Sequence, residues 1–479
     1  MMKQSMLLVA TLLVGVLAGL GITVAQTQGS LAQTTLSTKP NILFVLTDDM
    51  RASDLRYMPK TRNLLAERGV KFTDAFVTNS LCCPSRVTIL RGQYTHNHRI
   101  LSNRPPLGGF GKFRSSGRER STIATWLDGA GYDTMFTGKY LNGYDSTTYV
   151  PPGWDEWHGY LGDYVQSGTY RMNDNGQIKT YDRSRRHDTD LFSDRAAAFL
   201  RRTPGGAPFF MYLSTNAPHT PAFAPQRHRG KFSDVPLPDP LSLNEDNVSD
   251  KPRWVRNAPR LSSGDVGYLR QLHRQRLRSL QSVDEMVGRL VRILGETGEL
   301  SNTYIVFASD NGFHLGEHRI NAKKWTAYEE AIHVPLLVRG PGVSRGVSRS
   351  HMALNNDLAP TFASFAGVTR PGFVDGRSLK PLLSANPSSG RSALLVEHWR
   401  DRNGDPFAAT IPNYKAVRTS RYLFVRYATG ERELYDLSKD PYELRSLHNT
   451  ASTDLKRRLA SRLDALAKCA AQSCRNAEN

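Results

Sequence analysis

Cysteine is scarce in this chain, four residues in 479, yet two of them stand together in LCCPSRVTILRG, residues 81–92. Proline is favoured at the first position of a helix, so Pro84 predicts a helix running to about Arg91 and closed by Gly92. Cys82 and Cys83 then sit at the helix entrance, where free backbone N–H groups and the positive end of the dipole attract anions and make a thiol reactive. Arg86 falls in the first turn, where its planar fork could hold two oxygens of a tetrahedral oxyanion. A nucleophile meeting an anion is one chemistry for these residues. A vicinal disulfide or a buried thiol pair is the other reading of a CC dipeptide, and the residues alone leave both open. Two further pairs bear on the choice. Asp48 and Asp49 end the apolar run NILFVLTDD, and Asp310 and Asn311 end TYIVFASDNG. Together they offer hard oxygen ligands, the preference of Ca²⁺ or Mg²⁺ rather than Zn²⁺. One such pair commonly does no more than cap the next helix; two, in a chain that also carries the cysteine motif, point to a site.

The elements that must position these residues alternate apolar strand-like runs with helical stretches, the pattern of an α/β sheet protein. Such sheets place their chemistry just beyond the carboxyl ends of strands, which is where both acidic pairs fall. YLRQLHRQRLRSLQSVDEMVGRLVRILGETG has apolar residues at helical spacing, stops at glycine and leads into the second of these strands. Residues 225–265 are rich in proline and charge and read as a long surface loop. After about residue 385, NYKAVRTSRYLFVRY and ERELYDLSKDPYELRSL predict short antiparallel strands, followed by a helix from about Thr453 to Lys468. The division expected is a signal peptide over 1–25, a polar linker over 26–38, a catalytic domain over 39–384 and a smaller domain over 385–479.

The signal is read from Lys3, the apolar stretch Met6–Val24 and the small-x-small site at Thr23-Val24-Ala25. No later segment is apolar enough to span a bilayer. Export predicts a secreted or periplasmic protein and permits Cys469 and Cys474 to close a small loop, with two unpaired thiols as the alternative. The formal charge of +19 and an isoelectric point near 9.8 make the surface field positive, which suits an anionic partner.

With these residues in hand, the C-x-P-S-R element of CCPSRVTILRG resembles the signature of the type I sulfatases, in which the first cysteine is oxidised to formylglycine. PNILFVLTDDM, GKYLNGY, APFFMYLSTNAPHTP, SDNGFHLGEH, KWTAYEEAIHVPLLVRGPG, NNDLAPTFASFAG and ELYDLSKDPYEL resemble blocks of that family in its order. The resemblance implies an alkaline-phosphatase-like fold: a large mixed β-sheet sandwiched by helices, with a smaller C-terminal α+β domain holding an antiparallel sheet. It implies that Cys82 is converted by a separate formylglycine-generating maturation enzyme, Cys83 filling the unspecified position. It implies that Asp48, Asp49, Asp310, Asn311 and the modified Cys82 hold a divalent cation, Ca²⁺ with Mg²⁺ the alternative. Arg86, Lys139 and Lys324 would neutralise sulfate oxygens, and His219 would take part in protonating the leaving group. Lys324 is preferred to Lys323 for its spacing to Tyr328 and Glu329; His314 is a second-tier contact, and Asn142 stands near where the family often has a histidine, so no contact is assigned to it. Cys82 and Arg86 are both expected to face the site, so that removing either costs activity and little stability.

Among related sulfatases, LCCPSR, GQYTHNHRI, GKYLNGY and PHTPAFAPQ look most like those acting on N-acetylglucosamine-6-sulfate and other sulfated glycans, so the expected substrate is an anionic sulfated carbohydrate. A general arylsulfatase and a phosphonate or phosphodiester hydrolase of the same superfamily are the alternatives. The letters HNH in THNHR raise a metal-dependent nuclease, but nothing nearby has zinc-ligand spacing or a β-β-α context, and nucleic acid is not the expected partner. A carbohydrate-binding protein without turnover is set aside because Cys82, Arg86 and the metal set are intact.

Overall fold

The computed structural model describes residues 39–162, 168–388 and 390–479. The expected signal peptide and polar linker lie outside the described residues. Residues 39–479 form one compact unit.

Its main sheet has ten strands: β1 (Asn41–Thr47), β2 (Val70–Phe72), β3 (Asp133–Lys139), β4 (Glu156–Leu161), β5 (Thr169–Asp174), β6 (Gln177–Asp182), β7 (Phe209–Ser214), β8 (Thr303–Ser309), β9 (Leu336–Arg339) and β10 (Val347–Arg349). They lie in the order β10-β2-β9-β8-β1-β7-β3-β4-β5-β6. The centre, from β8 through β1, β7 and β3 to β4, is parallel. β9 joins antiparallel to β8 and β2, and β5 and β6 add antiparallel at the other edge. The sheet is therefore mixed.

β1 explains why the centre is parallel. All seven residues of NILFVLT are buried, the continuous apolar run of a strand covered on both faces. Ile42, Phe44 and Leu46 pack into one core with the helices α1 (Cys82–Arg91) and α4 (Leu358–Ala366), while Leu43 and Val45 face the other core, built with α2 (Asp188–Arg202) and α3 (Ser263–Glu296). α3 begins on a capping box, Ser262 with Asp265, and buries Leu277, Leu280, Val283, Val287 and Leu290 along one stripe.

A second sheet, fully antiparallel, consists of β11 (Ala393–His398), β12 (Tyr414–Thr419), β13 (Tyr422–Tyr427) and β14 (Arg432–Asp436), followed by α5 (Thr453–Leu466). Its Leu394, Val396, Val417 and Phe424 share an apolar cluster with Phe76, Tyr328 and Ile332. The small C-terminal sheet thus packs within the same compact unit as the large one. The segment 225–265 is largely irregular, yet Val248, Trp254 and Val255 are buried in this same cluster, so it is more than the surface loop its composition predicts. Cys469 and Cys474 form a disulfide.

Candidate active site

Four parallel strand ends converge. The register Thr47↔Ser309 sets Asp48 beside Asp310, whose N–H donates to the Thr47 carbonyl at 3.1 Å. The Asp49 N–H donates to Asp310 Oδ1 at 3.0 Å. β3 ends on Lys139 and β7 on Ser214, the chain then running through cis Ala217–Pro218 to His219. Opposite them is the first turn of α1. The helix begins at Cys82, not at Pro84, with Leu81 as N-cap and left-handed Gly92 as the stop. Pro84 at the third position loses nothing, because the first four helical N–H groups have no intrahelical acceptor. Neither cysteine of the pair is in a disulfide, which removes the vicinal-disulfide reading.

Cys82 Sγ is the centre of the arrangement. Lys324 Nζ donates to it at 2.8 Å, and the thiol lies 3.5 Å from Asp48 Oδ1 and 4.0 Å from Asp49 Oδ1. Lys324 also donates to Asp49 Oδ1, and Lys139 to Asp48 Oδ2. Asn311 Nδ2 donates to Asp49 Oδ1 at 2.6 Å, leaving Asn311 Oδ1 buried without a partner. Oxygens of Asp48, Asp49 and Asp310 lie within 4.8 Å of one another. Three converging carboxylates, with a neighbouring Asn311 whose amide oxygen is buried without a partner, fit a hard divalent cation. Cys83 is buried on the far side of the turn, and its N–H donates to Asn103 Oδ1 at 2.9 Å.

The electrostatics follow from burial and close opposite charges. Burial alone raises the Asp48 and Asp49 carboxyls, but the surrounding cations outweigh it: Lys139 with His219, Arg86 and Lys324 for Asp48, Lys324 with His219 for Asp49. Both end below the usual carboxylate range. Asp310 behaves oppositely. Burial and the neighbouring Asp48 outweigh Arg86 and lift it to about 6. The Lys139 and Lys324 ammoniums are held above their ordinary values by Asp48 and Asp49 respectively, against the cost of burial. The Cys82 thiol is pushed up by burial and by Asp48, so as a thiol it is not poised to attack.

Arg86 is placed differently from its sequence expectation. It is 1% exposed, and Nε donates to Asp310 Oδ2 at 2.8 Å. Nη1 donates to the Lys139 carbonyl and to Ser214 Oγ, both at 2.7 Å, and Nη2 lies 3.5 Å from Asp48 Oδ2. Its fork ties strand ends and carboxylates together instead of opening onto the cleft. His314 is also fully buried, bonded to Thr326 Oγ1 at 2.7 Å, and does not reach the cleft. His219 is a quarter exposed, with Nδ1 on the Thr220 carbonyl at 2.6 Å and Nε2 3.7 Å from Asp49 Oδ2. Burial, opposed by Asp48 and Asp49, lowers its imidazole below the ordinary value. The histidines of THNHR are structural: His96 pairs with Glu397 at 2.9 Å, and His98 bonds Thr88 at 3.0 Å.

The sequence reading missed Arg276. From the middle of α3 it is fully buried, donating to the Asp49 and Pro218 carbonyls, and so holds Asp49 at φ 66° together with the loop that carries His219. Its only sequence signal was a cation on the apolar stripe of a helix, which no local pattern separates from surface arginines.

Asp49, Lys139, His219 and Lys324 floor a cleft of about 350 Å³, whose walls include Asn103, Arg104, Asn142, Trp325, His398 and Asp401. The last two come from β11 and the segment after it, so the small sheet supplies one wall. Lys323 lines the rim and pairs with Asp405 at 2.6 Å.

Residues 40–368 match the family described as Sulfatase, and residues 316–469 match N-sulphoglucosamine sulphohydrolase, C-terminal. The chain is 34% identical to an arylsulfatase of Volvox carteri, over 91% of this chain and 76% of that one. It is 32% identical to the human N-acetylglucosamine-6-sulfatase, over 91% of this chain and 86% of the relative. A solved structure in complex with its substrate D-glucosamine-2-N,6-O-disulfate superposes with a TM-score of 0.78 at 25% identity, covering 92% of this chain and 99% of that one. Strand ends, carboxylates and cysteine motif thus sit in a fold and a sequence that agree, and the chain belongs to the sulfatase family, enzymes that hydrolyse sulfuric esters.

Proposed function

We propose that this protein is an exported glycan sulfatase, acting on 6-sulfated N-acetylglucosamine or related glycosaminoglycan units. It would use a formylglycine made from Cys82 by a maturation enzyme, and a divalent cation, calcium first. The observation that carries the reading is the convergence of buried Cys82 with Lys139, Lys324 and the Asp48–Asp49–Asp310–Asn311 set beneath one cleft, which Asp49, Lys139 and Lys324 line. Formylglycine at position 82 would supply a hydrated aldehyde as an oxygen nucleophile, and a cation held by Asp48, Asp49, Asp310 and Asn311 would neutralise charge on the sulfate.

This chain's own residues do the rest. Lys324, already on both position 82 and Asp49, holds a donor where charge develops on sulfate oxygens, and Lys139 does the same from the β3 side. The Thr220 carbonyl on Nδ1 fixes the His219 tautomer, so Nε2 is the atom that exchanges a proton with the leaving oxygen. Arg86 and Arg276 act through others, keeping the strand ends and the Asp49 backbone in register. The relatives named for N-acetylglucosamine-6-sulfate and glucosamine disulfate support the sugar, and the charge of +19 supports a polyanionic substrate. Export is supported by the apolar N-terminal stretch, and among the described residues no helix is long and apolar enough to cross a membrane.

The test is a panel of sulfated glucosamines, glycosaminoglycan oligosaccharides, aryl sulfates and phosphate or phosphonate esters, compared by kcat/KM at two ionic strengths, with Cys82→Ala as control. Sulfated sugars should lead and should weaken as salt rises. A lead for phosphorus esters overturns the sulfatase assignment of the site. A lead for aryl sulfates without salt dependence removes the glycan.

A further inference from the structure

Behind the cleft, three segments bring His318, Glu330 and Glu443 together. His318 lies in the loop after β8, Glu330 in the helical turn Glu329–Ile332 and Glu443 in the turn that follows β14. His318 is fully buried and Glu443 is 1% exposed. One ligand atom from each lies within 4.8 Å of the others. His318 Nε2 and Glu330 Oε2 are 4.0 Å apart, too far for a hydrogen bond. His318 Nε2, Glu330 Oε2 and Glu443 Oε1 are all buried without any hydrogen-bond partner, although buried polar atoms nearly always have one.

Other atoms of the same side chains are committed. His318 Nδ1 bonds Glu245 Oε2 at 2.7 Å, and Glu443 Oε2 accepts from the Glu329 N–H at 3.1 Å. A carboxylate on Nδ1 places the hydrogen there and turns the Nε2 lone pair toward the two glutamates, as in a metal-ligating histidine. The charges point the same way. Buried Lys251 donates to Tyr435 Oη and the Glu443 carbonyl and lies 3.7 Å from Glu245 Oε1, so it balances Glu245. Arg51 pairs with Glu317, and Arg418 with Glu329. Among the described residues no lysine or arginine pairs with Glu330 or Glu443. Two buried carboxyls without a cationic partner match, once ionised, the charge of one divalent cation.

We propose that His318, Glu330 and Glu443 form a second metal site, structural in role, that takes a divalent transition ion such as Zn²⁺ with Glu245 orienting the histidine. One imidazole nitrogen and two carboxylate oxygens suit zinc, with water in the fourth position, whereas calcium prefers oxygen ligands alone. A cavity of about 880 Å³, lined by Asn244, Glu245, Asp250, Arg260, Leu444 and Arg445, includes Glu245, the residue that bonds His318. The ion would staple the turn after β14 to the segments on either side of Lys324, tying the small sheet to a wall of the cleft.

The test uses the full chain, treated with chelator, saturated with Ca²⁺ and then titrated with ZnCl₂ by calorimetry, with elemental analysis after dialysis and thermal melting alongside. One zinc per chain, a raised melting temperature and retention of zinc in Asp310→Ala are expected. His318→Gln and Glu443→Gln should each weaken zinc binding by about 10-fold or more while calcium content is unchanged. Absence of zinc from the calcium-saturated protein overturns the site, and so does equal zinc in the two variants. Should either variant fail to fold, the visible spectrum of Co²⁺ in the unsubstituted chain decides: a strong four-coordinate band supports the site and a weak six-coordinate one rejects it. None of these readouts uses sulfatase turnover, so the outcome is independent of the proposed substrate.

Discussion

At the scale of single residues, the cleft separates two kinds of cation. Lys324 touches Cys82, the position proposed to attack, whereas Arg86 touches carboxylates, a hydroxyl and backbone. Lys324→Ala should therefore lower kcat by about 10²–10³-fold with a smaller change in KM. Arg86→Ala should lose activity and also about 3–5 kcal/mol of stability, because it removes the buried ion-pair partner of Asp310 and the ties to the Lys139 carbonyl and Ser214. Kinetics and denaturant melts of the two variants side by side check this, and equal stabilities would contradict the buried-network role of Arg86. The expectation that Arg86 costs activity alone came from its place in the first helical turn. Sequence spacing says which turn a residue occupies, but not whether its long side chain reaches solvent or is spent on neighbouring strands.

At the scale of elements, GKY shows how a strand end is tuned. Gly138 has φ 111°, and a Cβ there would lie 1.7 Å from the Ser214 carbonyl oxygen of β7. That close approach of β3 and β7 lets the Lys139 and Ser214 positions serve one arginine. Gly138→Ala should cost at least about 3 kcal/mol and shift Lys139 off Asp48, read as a drop in melting temperature together with kcat. The strands at both acidic pairs were legible because each is a run of five consecutive apolar residues that ends, one polar residue later, in Asp. The start of α1 was misjudged by two residues, since proline is tolerated throughout the first turn as well as at its first position. The irregular 225–265 segment hid Trp254 and Val255, whose burial depends on the distant Tyr328 cluster.

At the scale of the whole molecule, Glu478 accepts from Tyr94 Oη at 2.6 Å and Arg377 Nη2 at 2.9 Å and forms an ion pair with Arg391, whose Nε lies 3.0 Å away, while fully buried. It joins the C-terminal helical turn to the segment after α1 and to the entry of β11. Glu478→Ala should destabilise the chain by about 3–5 kcal/mol, with little effect on the KM of any surviving fold, as denaturant melts and kinetics will show. Acid should act through His273 and His398, which burial lowers to about 4 and about 3. Above pH 6.5 both states are neutral and these groups contribute nothing. Below it the unfolded chain takes up protons that the folded one refuses, so stability should fall as pH drops from about 6.5 toward 4, and Tm measured across that window should follow. The sequence by itself determined the mixed α/β class, the ends of β1 and β8, the cysteine motif and the separate antiparallel sheet, because burial periodicity and short motifs are local properties. Only the tertiary structure decided that Arg86 and His314 face inward, that Arg276 holds the Asp49 backbone, that β11 and the segment after it supply a wall of the cleft, and that His318 meets Glu330 and Glu443. Each of these depends on contacts between segments tens to hundreds of residues apart, and side-chain direction across such distances is set by packing rather than by any neighbour in the chain.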